Sequence, residues 1–310
     1  MRKIAFVFDG QGAFKPGVGK DLYHRYASAK KLIDNAGAML GFDLVKYLWG
    51  EEAAETSGQT SIAQPAISAV SLAYAQVLKE LGVEGEISLG HSLGEATAVV
   101  YCGALPFEEG IRMIQKRGAL MEKGGKEGGM MAVINIDTAM LEKECARVSE
   151  QTKQPVVVAN INAPNQVVIS GSKESIKLIA QFAAQNHGRG IPLDVGGAWH
   201  SPYLNSAALE FTGFLDTLKF GKNTTKLYSV VVHKVQTSGA EIRESFKKQM
   251  LSQVNWVRAV ESLKGLGYTT FLEIGPSKIL KDLIAKIDPS CWVESVALFT
   301  DLETFVKNLL

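Results

Sequence analysis

The stretch Gly90-His91-Ser92-Leu93-Gly94 sets a serine between two glycines, after the short apolar run 87–89 and before an apolar stretch of helical periodicity. A serine hydroxyl becomes a nucleophile only when a base removes its proton and donors stabilise the oxyanion that follows. A sharp strand-to-helix elbow would supply part of that. The N–H of the next residue, Leu93, would point at the developing negative charge, and the helix would add its positive dipole end. The structural alternative is a glycine-rich turn that merely closes a strand, and the spacing alone leaves both open. A base, an oxyanion site and a substrate handle must come from elsewhere in the chain.

The candidate bases are His24, His91, His187, His200 and His233. His24 lies in a polar helical stretch and His187 beside Gly188 at a helix end, so both read as surface residues. His91 is next to Ser92 in sequence, but consecutive residues on a sharp elbow point different ways. His200 sits in the glycine-loosened loop "GGAWHSPYL", at a junction between two structural units, where clefts tend to form. His200 is therefore the favoured base.

Arg117 is the informative charge. At 100° per residue, "IRMIQKRGALM" puts Met113, Ile114, Leu120 and Met121 on one side of a helix and Arg112, Gln115 and Lys116 on the other. Arg117 falls in the middle of the apolar side. A guanidinium facing inward needs an anion. The bland answer is a buried Asp or Glu; the sharper one is a substrate carboxylate held by the planar two-donor fork.

The elements that would carry these residues alternate. Strand-like "KIAFVF" and "ISLGHS" are interleaved with helical "SAKKLIDNAGAML", "SIAQPAISAVSLAYAQVLKELG", "LGEATAVVYCGAL" and "PFEEGIRMIQKRGALMEKGG", which predicts a parallel sheet covered by helices. Between residues 127 and 198 the rhythm changes to βαββαβ: "MMAVINI", "TAMLEKECARVSEQ", "PVVVANIN", "QVVISGS", "KESIKLIAQFAAQNHG" and "GIPLDV". That order reads as a ferredoxin-like unit, with "NAPNQ" as the turn of its central hairpin. The α/β rhythm returns after residue 200. The expected architecture is a large α/β unit, residues 1–126 and 199–310, interrupted by a small insert, residues 127–198.

Composition excludes several classes. With 46% apolar residues, 21% charged and a net charge of +1, nothing at the level of bulk charge attracts nucleic acid or an anionic membrane, and neither is expected as a partner. Cys102, Cys145 and Cys291 are odd in number and form no CxxC pair, which fits a reducing compartment. His and Cys never cluster at zinc spacing, so no metal is expected. The first apolar run is too short for a secretory segment, and no apolar stretch of 18 residues is read after it, so a cytoplasmic protein is expected.

The pieces "GQG", "AQPAI", "GHSLGE", "QKRGALM", "NINAPNQVVISG", "AWHSPYL", "QMLSQVNW" and "FLEIGP" occur in this order and span nearly the whole chain. In them the sequence closely resembles the malonyl-CoA:acyl carrier protein transacylases and the related acyltransferases of polyketide synthases. The resemblance implies an α/β-hydrolase-like core with a ferredoxin-like insert. It makes Ser92 the acyl-carrying nucleophile, His200 its base and Arg117 the holder of a malonyl carboxylate. Backbone N–H groups of Gln11 and Leu93 would form the oxyanion hole. The histidine would be oriented by a backbone carbonyl in the segment at Gln249-Met250 rather than by an aspartate. Malonyl-CoA is the implied donor and an acyl carrier protein the implied partner, with no bound cofactor and a monomeric enzyme.

Four residues depart from the family pattern: Asp9 stands where Pro is usual, Phe14 for Gln, Gln253 for Pro and Trp199 for Phe. Trp199 and Phe14 bear on the acyl pocket, since an indole beside the base either fills a gap in the core or narrows the pocket. A rival function is a hydrolase that strips acyl groups from carrier proteins with the same serine and histidine. Arg117 argues against it, because simple acyl chains give a buried cation nothing to hold. A catalytically dead docking module is the third reading, disfavoured by the intact Ser/His/Arg set.

Overall fold

The computed structural model describes residues 3–13, 15–50, 59–299 and 301–309; Phe14 lies outside them. Its strands are β1 (Ile4–Phe8), β2 (Ile87–Gly90), β3 (Gly128–Ile134), β4 (Val156–Ala163), β5 (Gln166–Ser172), β6 (Arg189–Pro192), β7 (Lys226–Ser229), β8 (Lys234–Gln236), β9 (Val254–Asn255), β10 (Thr270–Ile274) and β11 (Trp292–Ser295).

The first sheet has the order β11-β10-β1-β2-β7-β8. Its pairings are parallel except for β8, which runs antiparallel to β7 at the edge. Helices cover both faces, so β2 and β10 are buried along their whole length and β1 in all but its first residue, as parallel strands usually are. Phe8 is opposite Ile274 on one side and Gly90 on the other. The carboxyl ends of the three central strands are thus level, and the chain leaves them at Asp9, Gly275 and His91 together. Active sites of open parallel sheets form outside these ends.

The second sheet has the order β6-β3-β5-β4-β9. Its first four strands, with the helices Thr138–Thr152 and Lys173–Gln185, follow the βαββαβ order. Two details differ from expectation. The last strand stops at Pro192; Leu193 keeps one further bond to β3, its N–H donating to the Met130 carbonyl at 3.0 Å, and Leu193, Asp194 and Val195 of "GIPLDV" line a cavity. A fifth strand also joins from far along the chain: β9 pairs parallel with β4, Asn160 opposite Val254. The open edge of β4 accounts for it, helped by Gln253, whose Nε2 donates to the Val158 carbonyl at 3.1 Å.

The helix Thr60–Glu80 corrects the expectation that no segment is apolar enough to cross a membrane. By length and composition it qualifies, yet 78% of its most apolar window is buried inside the protein. It packs against the helices Phe107–Gly124 and Ala27–Leu40 and is a core helix.

Candidate active site

Ser92 stands where β2 turns into the helix Leu93–Tyr101. Its backbone has φ 53° and ψ −100°, a strained conformation of the kind that holds a side chain clear of its surroundings. The two flanking glycines make the elbow possible. A Cβ on Gly90 would fall 1.9 Å from the carbonyl carbon of Gly94, and one on Gly94 would fall 1.9 Å from the carbonyl oxygen of Phe8. No side chain fits at either place, so the helix can start hard against β1. The glycine-turn alternative leaves this strain without a reason.

His200, the favoured base, meets Ser92 across the fold: its Nε2 is 2.7 Å from the Ser92 Oγ. Its Nδ1 is 3.0 Å from the Ser252 carbonyl. A ring that donates Nδ1–H to that carbonyl keeps its lone pair on Nε2, which then accepts the serine hydroxyl. Burial, followed by the charge of Arg117, pushes the His200 pKa down to about 3. The imidazole is neutral at pH 7, as a base must be before it acts.

The carbonyl within hydrogen-bond distance of Nδ1 is that of Ser252, and the Gln249 backbone, expected in that role, also acts on the ring. The Gln249 carbonyl also accepts the Ser252 N–H, at 3.3 Å, within a run of turns that holds residues 246–252 against the histidine. The side chain of Gln249 serves the site as well. Its Oε1 accepts from Arg117 Nε at 3.1 Å and Nη2 at 2.8 Å, and its Nε2 donates to the Ser92 carbonyl at 2.7 Å.

Arg117 is fully buried, as its place on the helical wheel required. Its other contacts are Gln64 Oε1, 2.8 Å from Nη1, and Ser92 Oγ, 3.1 Å from Nη2. All are neutral oxygens. Among the described residues no carboxylate lies within ion-pairing distance of the guanidinium; the bland answer of a buried acid survives only at longer range, in Glu95. Burial lowers its pKa to about 10, and the group stays charged at pH 7.

Gln11 follows β1 by three residues. Its side chain is tied to Thr60 at 3.2 Å and to Gln64 at 3.2 Å, so a chain of amides runs from the loop after β1 to Arg117. Among the described residues no acceptor takes the backbone N–H of Gln11 or of Leu93. A cavity of about 340 Å³ opens at this point, lined by Gln11, Ser92, Leu93 and His200 on one side and by Asn160 and Val168 of the second sheet on the other. Trp199 is 7% exposed, lines the same cavity and packs into the main core.

The other histidines are elsewhere. His24 and His187 are exposed. His233 sits on a turn against Tyr228. His91 lines the cavity but turns away from the serine, its Nε2 2.8 Å from Asn162 Oδ1. Asn162, Gln64, Ser252 and Glu95 were not singled out from sequence. For Gln64 the available signal was a polar side chain amid the apolar run of "SIAQPAISAV".

Residues 5–289 match the family model of the acyl transferase domain. The chain belongs to that family. Among relatives, the malonyl CoA-acyl carrier protein transacylase of Bacillus subtilis (strain 168) is 36% identical over 291 residues, covering 93% of this chain and 91% of that protein. The protein of the same name from Staphylococcus aureus (strain MRSA252) is 31% identical over 311 residues, covering 99% and 100%. FabD from Acinetobacter baumannii has the same fold, with a TM-score of 0.94 at 27% identity over 99% of this chain and 98% of that one. A malonyl-transacylase solved in complex with its type II PKS acyl-carrier protein gives a TM-score of 0.94 at 30% identity, covering 99% of each chain.

Proposed function

We propose that this acyl transferase moves a malonyl group from malonyl-CoA to the phosphopantetheine thiol of an acyl carrier protein, through an acyl-enzyme on Ser92. Nε2 of His200 takes the hydroxyl proton as Ser92 Oγ attacks the thioester carbonyl, and Ser252 holds the ring through Nδ1–H. The N–H groups of Gln11 and Leu93 receive the oxyanion. As the intermediate collapses, the C–S bond breaks and His200 returns its proton to the departing CoA sulfur. In the second half-reaction His200 takes the proton of the carrier's thiol, the sulfur attacks the malonyl ester, and the proton passes to Ser92 Oγ. Each half-reaction is balanced by these groups and the two thiols alone.

The observation that carries the substrate assignment is Arg117: a fully buried cation, without a contacting carboxylate among the described residues, 3.1 Å from the nucleophilic oxygen. A malonyl group on Ser92 brings its free carboxylate into reach of that fork, where charge-assisted bonds to a planar guanidinium are strongest. A hydrolase for simple acyl chains would have no substrate charge to set against a cation beside its nucleophile. In this reading residues 127–198 supply the far wall of the cavity, and the enzyme works as a soluble cytoplasmic monomer.

The test is intact-mass spectrometry after mixing with malonyl-CoA. The native protein should gain one malonyl mass and lose it to a carrier protein. Ser92→Ala should gain none while keeping its fold, since the change removes one hydroxyl. An adduct on the Ala variant would place the nucleophile elsewhere.

A further inference from the structure

Glu95 is the next ionisable side chain along the helix that begins at Ser92, and it is 1% exposed. The spacing Ser92-Leu93-Gly94-Glu95 fits a capping box, in which the serine side chain caps the helix and the glutamate reaches back to the serine N–H. The structure excludes that role. Ser92 makes no side-chain cap, because its Oγ is held between His200 and Arg117. Glu95 turns the other way, its Oε1 accepting the Val230 N–H at 3.1 Å. Its Oε2 is buried with no hydrogen-bond partner among the described residues. A carboxylate in the first turn of a helix is favoured by the helix dipole, but an oxygen left bare away from water opposes ionisation.

The groups that face Glu95 explain how it is poised. Burial raises its pKa to about 7. Ser229, Gln249, the Val230 N–H and the charge of Arg117 pull the other way. Of these, Arg117 on the helix Phe107–Gly124 alone carries charge. His200 and His91 are the other titratable groups of the site, and burial lowers both. Gln249 lies between the two charges: its Oε1 takes two N–H bonds from Arg117, and it faces Glu95 as well. Glu95 therefore senses the guanidinium without touching it, and the guanidinium contacts only neutral oxygens, two of them on Gln64 and Ser92, which line the cavity.

We infer that Glu95 is the exchangeable counter-charge of Arg117: it balances the cation while the site is empty and takes up a proton from solvent when a malonyl carboxylate arrives. The inference rests on the assignment of Arg117 to the malonyl carboxylate. The site would then hold one negative charge beside Arg117 in either state. Two anions around one cation in a buried volume would repel, and protonating the nearer solvent-starved one relieves this. Malonyl binding consequently weakens as pH rises, because each bound malonyl group must bring a proton with it. Acetyl groups, which carry no charge, make no such demand. Glu95 touches no reacting atom and is a positioning residue that acts through Arg117.

The test uses the Ser92→Ala protein, which cannot be acylated, so that acyl-CoA binding is measured at equilibrium. Calorimetry at pH 8 in two buffers of different protonation enthalpy reads the protons taken up per ligand. Malonyl-CoA should take up roughly half a proton or more. Acetyl-CoA, with the same nucleotide phosphates, should take up none. Adding Glu95→Gln should abolish the uptake and tighten malonyl-CoA binding at high pH, an effect that a merely structural glutamate would not have. Uptake that survives Glu95→Gln overturns the inference, as does no uptake by Ser92→Ala while malonyl-CoA still binds more tightly than acetyl-CoA. If Glu95→Gln does not fold, the Ser92→Ala protein still decides. Its malonyl-CoA affinity should fall by up to about tenfold per pH unit between pH 7 and 9, against a flat acetyl-CoA reference, and two flat profiles overturn the inference. Malonyl-CoA and acetyl-CoA binding equally, with or without Arg117→Ala, would instead remove the parent assignment of Arg117 and the inference with it.

Discussion

Two clusters of buried ionisable groups flank the loop after β1, and they are built on opposite plans. On one side Asp9 and Glu273 are both sealed from solvent and closed on themselves. Asp9 accepts the Ser277 N–H at 3.1 Å and its hydroxyl at 2.8 Å. Glu273 accepts the N–H groups of Leu280 and Lys281 at 3.0 and 2.8 Å. Gly275 makes room for this, since a Cβ there would lie 2.3 Å from Asp9 Oδ2. On the other side Arg117 contacts only neutral amide and hydroxyl oxygens, and two of those partners, Gln64 and Ser92, line a cavity. The closed cluster has used its hydrogen-bonding capacity on the protein's own backbone and has a structural job. The open one holds a charge with no contacting counter-charge, and that is what a substrate site needs before its substrate comes.

The contrast can be broken most severely at the base. His200→Ala should slow acylation by malonyl-CoA by about 10² to 10⁴, the usual worth of a general base, as read by stopped-flow release of CoA. A variant that acylates at the native rate would move the role to another histidine, with His91 first in line. Its pKa sharpens the point. Because burial holds His200 near 3, its neutral form persists far below the ordinary histidine range of about 6.5. Acylation should show no loss from this group between pH 8 and 5. The same shift has a stability consequence of definite sign. The unfolded chain takes a proton on this residue below about 6.5 and the folded one does not, so stability falls as pH falls through that value.

The closed cluster should respond in stability and not in substrate choice. Burial, and then the neighbouring Asp9, raise the pKa of Glu273 well above its ordinary 4.5. The folded protein keeps a proton that the unfolded chain loses, so stability declines as pH rises above that value, by up to ~1.4 kcal/mol per pH unit. Asp9→Asn removes the opposing like charge. Its melting temperature should fall less steeply toward alkaline pH than that of the native protein, and its malonyl-to-acetyl preference should not change. A shift in that preference would mean the two clusters are coupled, through the loop that carries Gln11.

Trp199 carries the smallest effect. It is in the core and in the cavity wall at once, so gap filling and pocket narrowing are both physically present. One methyl in a tight pocket is worth only ~1–3 kcal/mol, so the native preference for malonyl should be no more than roughly tens to a few hundredfold, and Trp199→Phe should raise methylmalonyl transfer relative to malonyl by a part of that. Competition between the two CoA esters, read by mass on the acyl-enzyme, measures it. An unmoved ratio would leave Trp199 as packing alone.

Where the sequence was legible, residue type and spacing carried the signal. The two glycines around Ser92 mark the elbow, and Arg117 betrays itself by standing on an apolar helical face. The βαββαβ rhythm likewise announces the second sheet. What was illegible depends on partners that only the fold brings together. Ser252 orients His200 through its main chain, so no residue type at that position could have revealed it. Gln249 is expected from its backbone and acts by its side chain as well. Gln64 and Asn162 are amides whose partners come from 53 and 71 residues away. Glu95 wears the pattern of a helix cap and is turned to another use. The strand β9 is two residues long and pairs across the fold, where no local periodicity can announce it.

Arg117, a buried cation whose contacts are all neutral oxygens, is the group assigned to the malonyl carboxylate. That assignment is tested most directly by the ratio of malonyl to acetyl transfer in Arg117→Ala, measured against the native protein by acyl-enzyme mass with each CoA ester. Malonyl transfer should fall steeply, with acetyl transfer, which never used the fork, falling less or rising. Equal impairment toward both acyl groups would contradict the assignment and leave Arg117 a structural cation.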